Sequence, residues 1–223
     1  MRVREITGPA GTLEALLDEP PAVAGVNEEG LVERGLAAGL RAAVVLAHPH
    51  PQYGGTMHTK VVYQTAKAFS RIGCAVLRFN FRGTGMSTGV YDEGRGEMDD
   101  FRAAIAFMRS QYPDVPLWAA GMSFGAWISS NVGATDSGIT TLLGIAPPLS
   151  RYDFEAVRTS PKPKFFIQGE RDELCPLKEM QEFYARAVDP KELVVIDAAD
   201  HLFDGKTSEV ADAIEDLFGD WNE

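Results

Sequence analysis

Short apolar runs and stretches of helical periodicity alternate along most of this chain. Ala43 to Ala47 reads as a buried strand, Thr59 to Ile72 as a helix, Ala75 to Phe79 as a strand and Met98 to Gln111 as a helix. Val115 to Ala120 is then a strand and Ala126 to Val132 a helix rich in small residues. Strands at Thr140 to Ile145, Lys164 to Ile167 and Leu193 to Ile196 follow, with helices at Lys178 to Val188 and Ser208 to Phe218. Such alternation predicts an α/β protein with a mostly parallel sheet and helices on both faces. Residues 2–17 read differently, as two short antiparallel strands turning at Gly8-Pro9-Ala10-Gly11. Residues 18–40 mix Pro, Gly, acidic residues and weak periodicity, which predicts a surface excursion with room for a strand or one helical turn and no chemistry.

Composition narrows the class. With 223 residues, 45% hydrophobic and 24% charged, the chain is expected to form one globular domain over residues 1–223. A formal charge of −11 disfavours nucleic acid and anionic membranes as partners. No apolar h-region follows Met1-Arg2-Val3-Arg4-Glu5, and later apolar runs stop short of the roughly 20 residues a bilayer needs, so a cytoplasmic protein is expected. Cys74 and Cys175 fall at opposite edges of the expected sheet, too far apart for a disulfide.

Gly121-Met122-Ser123-Phe124-Gly125 lies where a strand gives way to a helix. A serine there stands on a sharp turn above the sheet edge, near backbone N–H groups at a helix start, the arrangement of a nucleophile elbow. A Gly-Ser turn that merely caps the helix is the competing explanation. The remaining chemistry decides between them. Of the four histidines, His48, His50, His58 and His201, only His201 follows Ser123, and it comes just past a strand on the same edge. An imidazole there can take the serine proton and return it to a leaving group. Asp172, between the strand end at Gly169 and Pro176, is placed to orient it, with Glu170, Glu173 and Asp197 as rivals. Ser, Asp and His then occur in the chain order of an α/β-hydrolase.

An oxyanion hole needs two N–H donors. Phe124, the residue after the serine, supplies one, and the loop His48-Pro49-His50-Pro51-Gln52-Tyr53-Gly54-Gly55 supplies the other. Its prolines cannot donate, which leaves His50 and Gln52, of which the His50 backbone is preferred, while the His48 ring reads as structural.

These motifs, with Phe81-Arg82-Gly83-Thr84-Gly85-Met86-Ser87, resemble the small, lid-less bacterial α/β-hydrolases grouped near dienelactone hydrolase, over about residues 42 to 218 and the opening hairpin. The resemblance implies a twisted sheet of up to eight strands with helices on both faces, no lid domain, and carboxylic-ester hydrolysis. Dienelactone hydrolases proper carry a cysteine where Ser123 stands, which sets dienelactone itself aside as substrate. Arg82 to Ser87 lacks the lysine of a phosphate-binding loop and is expected to be a tight turn, with Arg82 bridging to an acidic neighbour.

No cofactor is expected, and His48-Pro49-His50 has no further ligand cluster to hold a metal. Ala146 to Pro163 is too short for an inserted helical lid, which predicts an open cleft taking a small-molecule ester or acyl substrate. Tyr53, Phe124, Pro147, Pro148, Leu149, Leu202 and Phe203 are its expected lining, with Tyr53, Pro148, Leu202 and Phe203 as substrate contacts. Thioester or small-peptide hydrolysis would use the same parts. From a different class, a binding protein on the same fold would keep the cleft without turnover.

Overall fold

Eight strands form one sheet in the order β1-β2-β6-β5-β7-β8-β9-β10. The computed structural model describes residues 2–20, 25–26, 32–33, 39–219 and 221. β1 (Arg2–Gly8) and β2 (Gly11–Asp18) make the antiparallel hairpin, and β2 runs antiparallel to β6 (Ala75–Phe79). From there the sheet is parallel, through β5 (Ala43–Ala47), β7 (Leu117–Met122), β8 (Ile139–Ile145), β9 (Lys164–Gly169) and β10 (Lys191–Ile196). Within residues 18–40, β3 (Gly25–Val26) pairs antiparallel with β4 (Val32–Glu33), and the rest of that expected excursion lies largely outside the described residues.

Two apolar layers flank the sheet because residues alternate along buried strands. On β5, Ala43, Val45 and Ala47 enter one layer while Val44 and Leu46 enter the other. The first layer is closed by α2 (Arg95–Gln111), α3 (Phe124–Thr135), the short α4 (Glu155–Thr159) and α5 (Leu177–Arg186). The second is closed by α1 (Lys60–Arg71) and α6 (Thr207–Gly219), whose Phe69 and Phe218 meet edge to face with centroids 5.2 Å apart. Fully burying a side chain of this size contributes roughly 1.5–3 kcal/mol.

Polar contacts lock the antiparallel end to the parallel body. The buried Arg78 of β6 holds Asp18 of β2 through two guanidinium hydrogen bonds of 2.9 and 2.8 Å. Just beyond, Asn80 donates to Glu14 (2.8 Å), and Glu14 also accepts the Met86 N–H (2.9 Å). The expected tight turn at residues 82–87 is thus moored to the hairpin, and Arg82 bridges to the buried Asp100 of α2 at 2.8 Å. Cys74 and Cys175 are both free and buried.

Candidate active site

β7 runs without interruption into α3, and the turn between them is held by close approach of backbone to backbone. A Cβ on Gly121 would strike the Gly125 carbonyl, and one on Gly125 would sit 2.5 Å from the carbonyl oxygens of Ala47 and His48. Ser123 occupies this turn at φ 53°, ψ −120°, a backbone region that side chains rarely adopt. Its N–H is tied to the Ile145 carbonyl at the end of β8 (2.8 Å), which steadies the strained residue.

The loops after β9 and β10 bring the two partners. Ser123 Oγ lies 3.0 Å from His201 Nε2, and His201 Nδ1 lies 2.8 Å from Asp172 Oδ2. Asp172 is buried, and its carboxylate accepts three further hydrogen bonds. Oδ1 accepts the N–H groups of Leu174 (2.9 Å) and Cys175 (2.8 Å), and Oδ2 accepts from Gln168 Nε2 (3.0 Å). A carboxylate so placed draws the imidazole proton onto Nδ1 and leaves Nε2 as acceptor for the serine hydroxyl. Among its rivals, Glu170 is exposed and accepts the Ala198 N–H (2.8 Å), and Glu173 and Asp197 are exposed. Gln168, which also donates to the Cys175 carbonyl (2.6 Å), was not singled out from sequence.

The loop after β5 faces the elbow. Gln52 donates its N–H to His50 Nδ1 (3.2 Å), so of the two candidate donors its N–H is committed inside the loop. His50 Nε2 meets the Tyr91 hydroxyl at 3.1 Å, and the ring packs on Phe124 with centroids 4.8 Å apart. Burial and the nearby positive charge of Arg151 lower the His50 pKa. His48 is fully buried: Nε2 accepts the Phe81 N–H (3.1 Å) while Nδ1 lies 2.6 Å from the Pro49 carbonyl. Desolvation lowers its pKa to about 4, so the ring is neutral and joins the loops after β5 and β6. The Phe124 N–H opens α3 and has no acceptor within the helix.

A cleft of about 480 Å³ opens over Ser123 and His201. Tyr53, Phe124, Pro148 and Leu202 line it as expected, with His50, and Tyr53 and Leu202 are strongly exposed at its rim. Phe203 does not. It is fully buried in the layer under α6, because at φ 54° the chain turns sharply after Leu202 and sends the next side chain inward. Pro147 is buried and Leu149 packs on the opposite layer, so neither lines the cleft. Pro49, Arg151, Tyr152, Leu174 and Cys175 complete the lining, and no motif or periodicity marked Arg151, Tyr152 or Leu174 in the sequence. Between β8 and β9 only the five-residue α4 intervenes, and no lid is inserted there.

Among the described residues, Asp172, Cys175 and His201 form a group of possible metal-ligand atoms within 4.8 Å of one another. The chemistry of that set fits a metal poorly. Asp172 and His201 are already bonded to each other, and burial and the Asp172 charge raise the Cys175 pKa, keeping its thiol protonated. A second groove of about 370 Å³, between β10 and α6, is lined by Glu192, Glu209, Asp212 and Asp216 with Val194, Ile196, Ala213 and Leu217, and no Ser, Cys, His or Lys side chain lines it.

The sheet order, the strained serine after its central strand and the loops that converge on it define an α/β-hydrolase fold. The family described as "Alpha/beta hydrolase domain" matches residues 40–217, and the chain belongs to it. It is 36% identical over 197 residues to an uncharacterized protein, RP471, of Rickettsia prowazekii, covering 84% of this chain and 82% of the relative. Among solved structures it is similar to an α/β serine hydrolase homologue from Coxiella burnetii, at 33% identity and TM-score 0.86, with 97% of each chain covered. A serine hydrolase without a lid from Xanthomonas campestris is 32% identical, with TM-score 0.84 and 96% and 92% of the two chains covered.

Proposed function

We propose that this protein is a serine hydrolase of carboxylic esters, acting on small or protruding substrates through an acyl-enzyme. The observation that carries the reading is the unbroken chain from Ser123 Oγ through His201 to the buried Asp172, at 3.0 and 2.8 Å. His201 removes the serine proton as Oγ attacks the ester carbonyl, then gives that proton to the departing alcohol. A water activated by the same imidazole releases the acid. The Phe124 and His50 N–H groups are assigned to the developing oxyanion, where one such donor contributes on the order of 10²–10³ in rate. The similar proteins described as α/β serine hydrolases support the serine-hydrolase class of this reading.

The test is initial rates on p-nitrophenyl esters of increasing acyl length beside one acyl thioester, with fluorophosphonate labelling of the same preparations. The wild type should label and favour short esters, and Ser123→Ala should lose labelling and nearly all turnover while staying folded. Turnover retained by Ser123→Ala would remove the serine from the mechanism. A preference for the thioester would redirect the substrate class, and an unlabelled native protein would favour a binding role.

A further inference from the structure

Arg151, in the loop between β8 and α4, is an exposed residue lining the cleft, and hydrolysis as proposed above makes no use of it. Most other arginines are paired; Arg171, like Arg151, has no side-chain partner among the described residues, but it does not line the cleft. Arg78, Arg82, Arg95, Arg102, Arg109 and Arg158 each face a carboxylate at 3.1 Å or closer. Arg151 forms no ion pair and no side-chain hydrogen bond among the described residues. Only its backbone is fixed, by donation to the Pro148 carbonyl at 3.0 Å.

In a chain with 32 acidic and 21 basic residues, an unpaired arginine beside a cleft is a specific placement. The cleft lining contains no Asp or Glu, so a negative group entering it meets one guanidinium and no opposing carboxylate. The positive charge is felt at His50, Tyr152 and Cys175, which come from the loops after β5, β8 and β9. Around it the wall is apolar or aromatic, with Tyr53, Phe124, Leu174 and Leu202 able to cover a hydrocarbon spacer. A guanidinium matches a carboxylate with two parallel hydrogen bonds, which an ammonium cannot do.

We propose that Arg151 makes the cleft selective for esters that carry a second, ionised carboxylate, the hemiesters of dicarboxylic acids. The guanidinium holds the free carboxylate while the ester carbonyl reaches Ser123. The inference rests on the hydrolase reading, and the two are tested separately.

Turnover is compared on monoethyl adipate and on its neutral isostere, in which an isopropyl group replaces the carboxylate. The ratio of kcat/KM, hemiester over isostere, should fall about tenfold in Arg151→Met, the loss of one exposed charge-assisted contact. Arg151→Lys should recover part of it, Arg151→Glu should reverse the preference, and rising salt should narrow the wild-type ratio. A ratio equal in wild type and Arg151→Met overturns the proposal even when Ser123-dependent turnover is intact. The second measurement needs no turnover. Ser123→Ala protein, with and without Arg151→Met, is titrated with the two compounds by NMR. A preference for the hemiester that disappears with Arg151 supports the proposal, and equal binding in both backgrounds overturns it. Failure of the hydrolase reading shows instead as absent fluorophosphonate labelling.

Discussion

Asp172 receives four hydrogen bonds, from His201, Gln168, Leu174 and Cys175, and this saturation makes it the residue whose replacement is most informative. Asn at 172 keeps the shape but offers an N–H where His201 needs an acceptor, which turns the imidazole to the wrong tautomer. Asp172→Asn is therefore expected to lower kcat by on the order of 10⁴ with the fold retained, checked by steady-state kinetics beside a thermal melt. A loss of only a few-fold would pass the orienting role to another group. Ser123, Asp172 and His201 were legible in the sequence because each follows an apolar strand run that ends on the same sheet edge. Side-chain direction within a loop was not. Leu202 and Phe203 are adjacent and equally apolar, and only the backbone turn between them sends one to the cleft and the other to the core. Arg151 and Tyr152 escaped notice because a cleft residue on an irregular loop carries no periodicity.

The elbow depends on strand and helix crossing at backbone contact. Gly125→Ala would place a methyl 2.5 Å from two carbonyl oxygens of the neighbouring β5 and its loop. Neither oxygen can give way without moving the sheet, so a loss of about 1–3 kcal/mol is expected, together with a displaced Ser123. Denaturant midpoints and fluorophosphonate labelling rates measure the two effects, and an unchanged midpoint would show that the crossing tolerates the methyl. Helix ends were read less well than helix existence. α2 starts at Arg95 rather than Met98 because the buried Glu97 reaches back to the N–H groups of Gly94 (2.8 Å) and Asp92 (2.9 Å). That signal was hidden in a glycine-rich approach. α4 is five residues long, too short for periodicity to reveal.

At the scale of the molecule, the alternation of strands and helices dictated the parallel sheet, whereas the contacts locking its antiparallel end, Arg78 to Asp18 and Asn80 to Glu14, join residues about 60 apart and leave no local trace. The buried His48 ties stability to pH. Its folded-state value of about 4 lies below the ordinary 6.5, so between those values the unfolded chain binds the proton more readily. The stabilisation is complete above about pH 6.5 and is lost as pH falls toward 4, by on the order of 3 kcal/mol. Urea midpoints across that range should fall in the wild type and fall less steeply in His48→Gln, and parallel slopes would remove His48 as the cause. The three hydrogen-bonded residues of the site hang from β7, β9 and β10, and β10 is both the last strand in sequence and the outermost on its side of the sheet. A chain emerging from the ribosome with its N-terminus first can build the hairpin and the central strands early, yet it cannot bring Ser123, Asp172 and His201 together until β10 has been synthesised and paired. The hydrogen-bonded chain from Ser123 to Asp172 therefore cannot exist on a nascent chain from which His201 has not yet emerged.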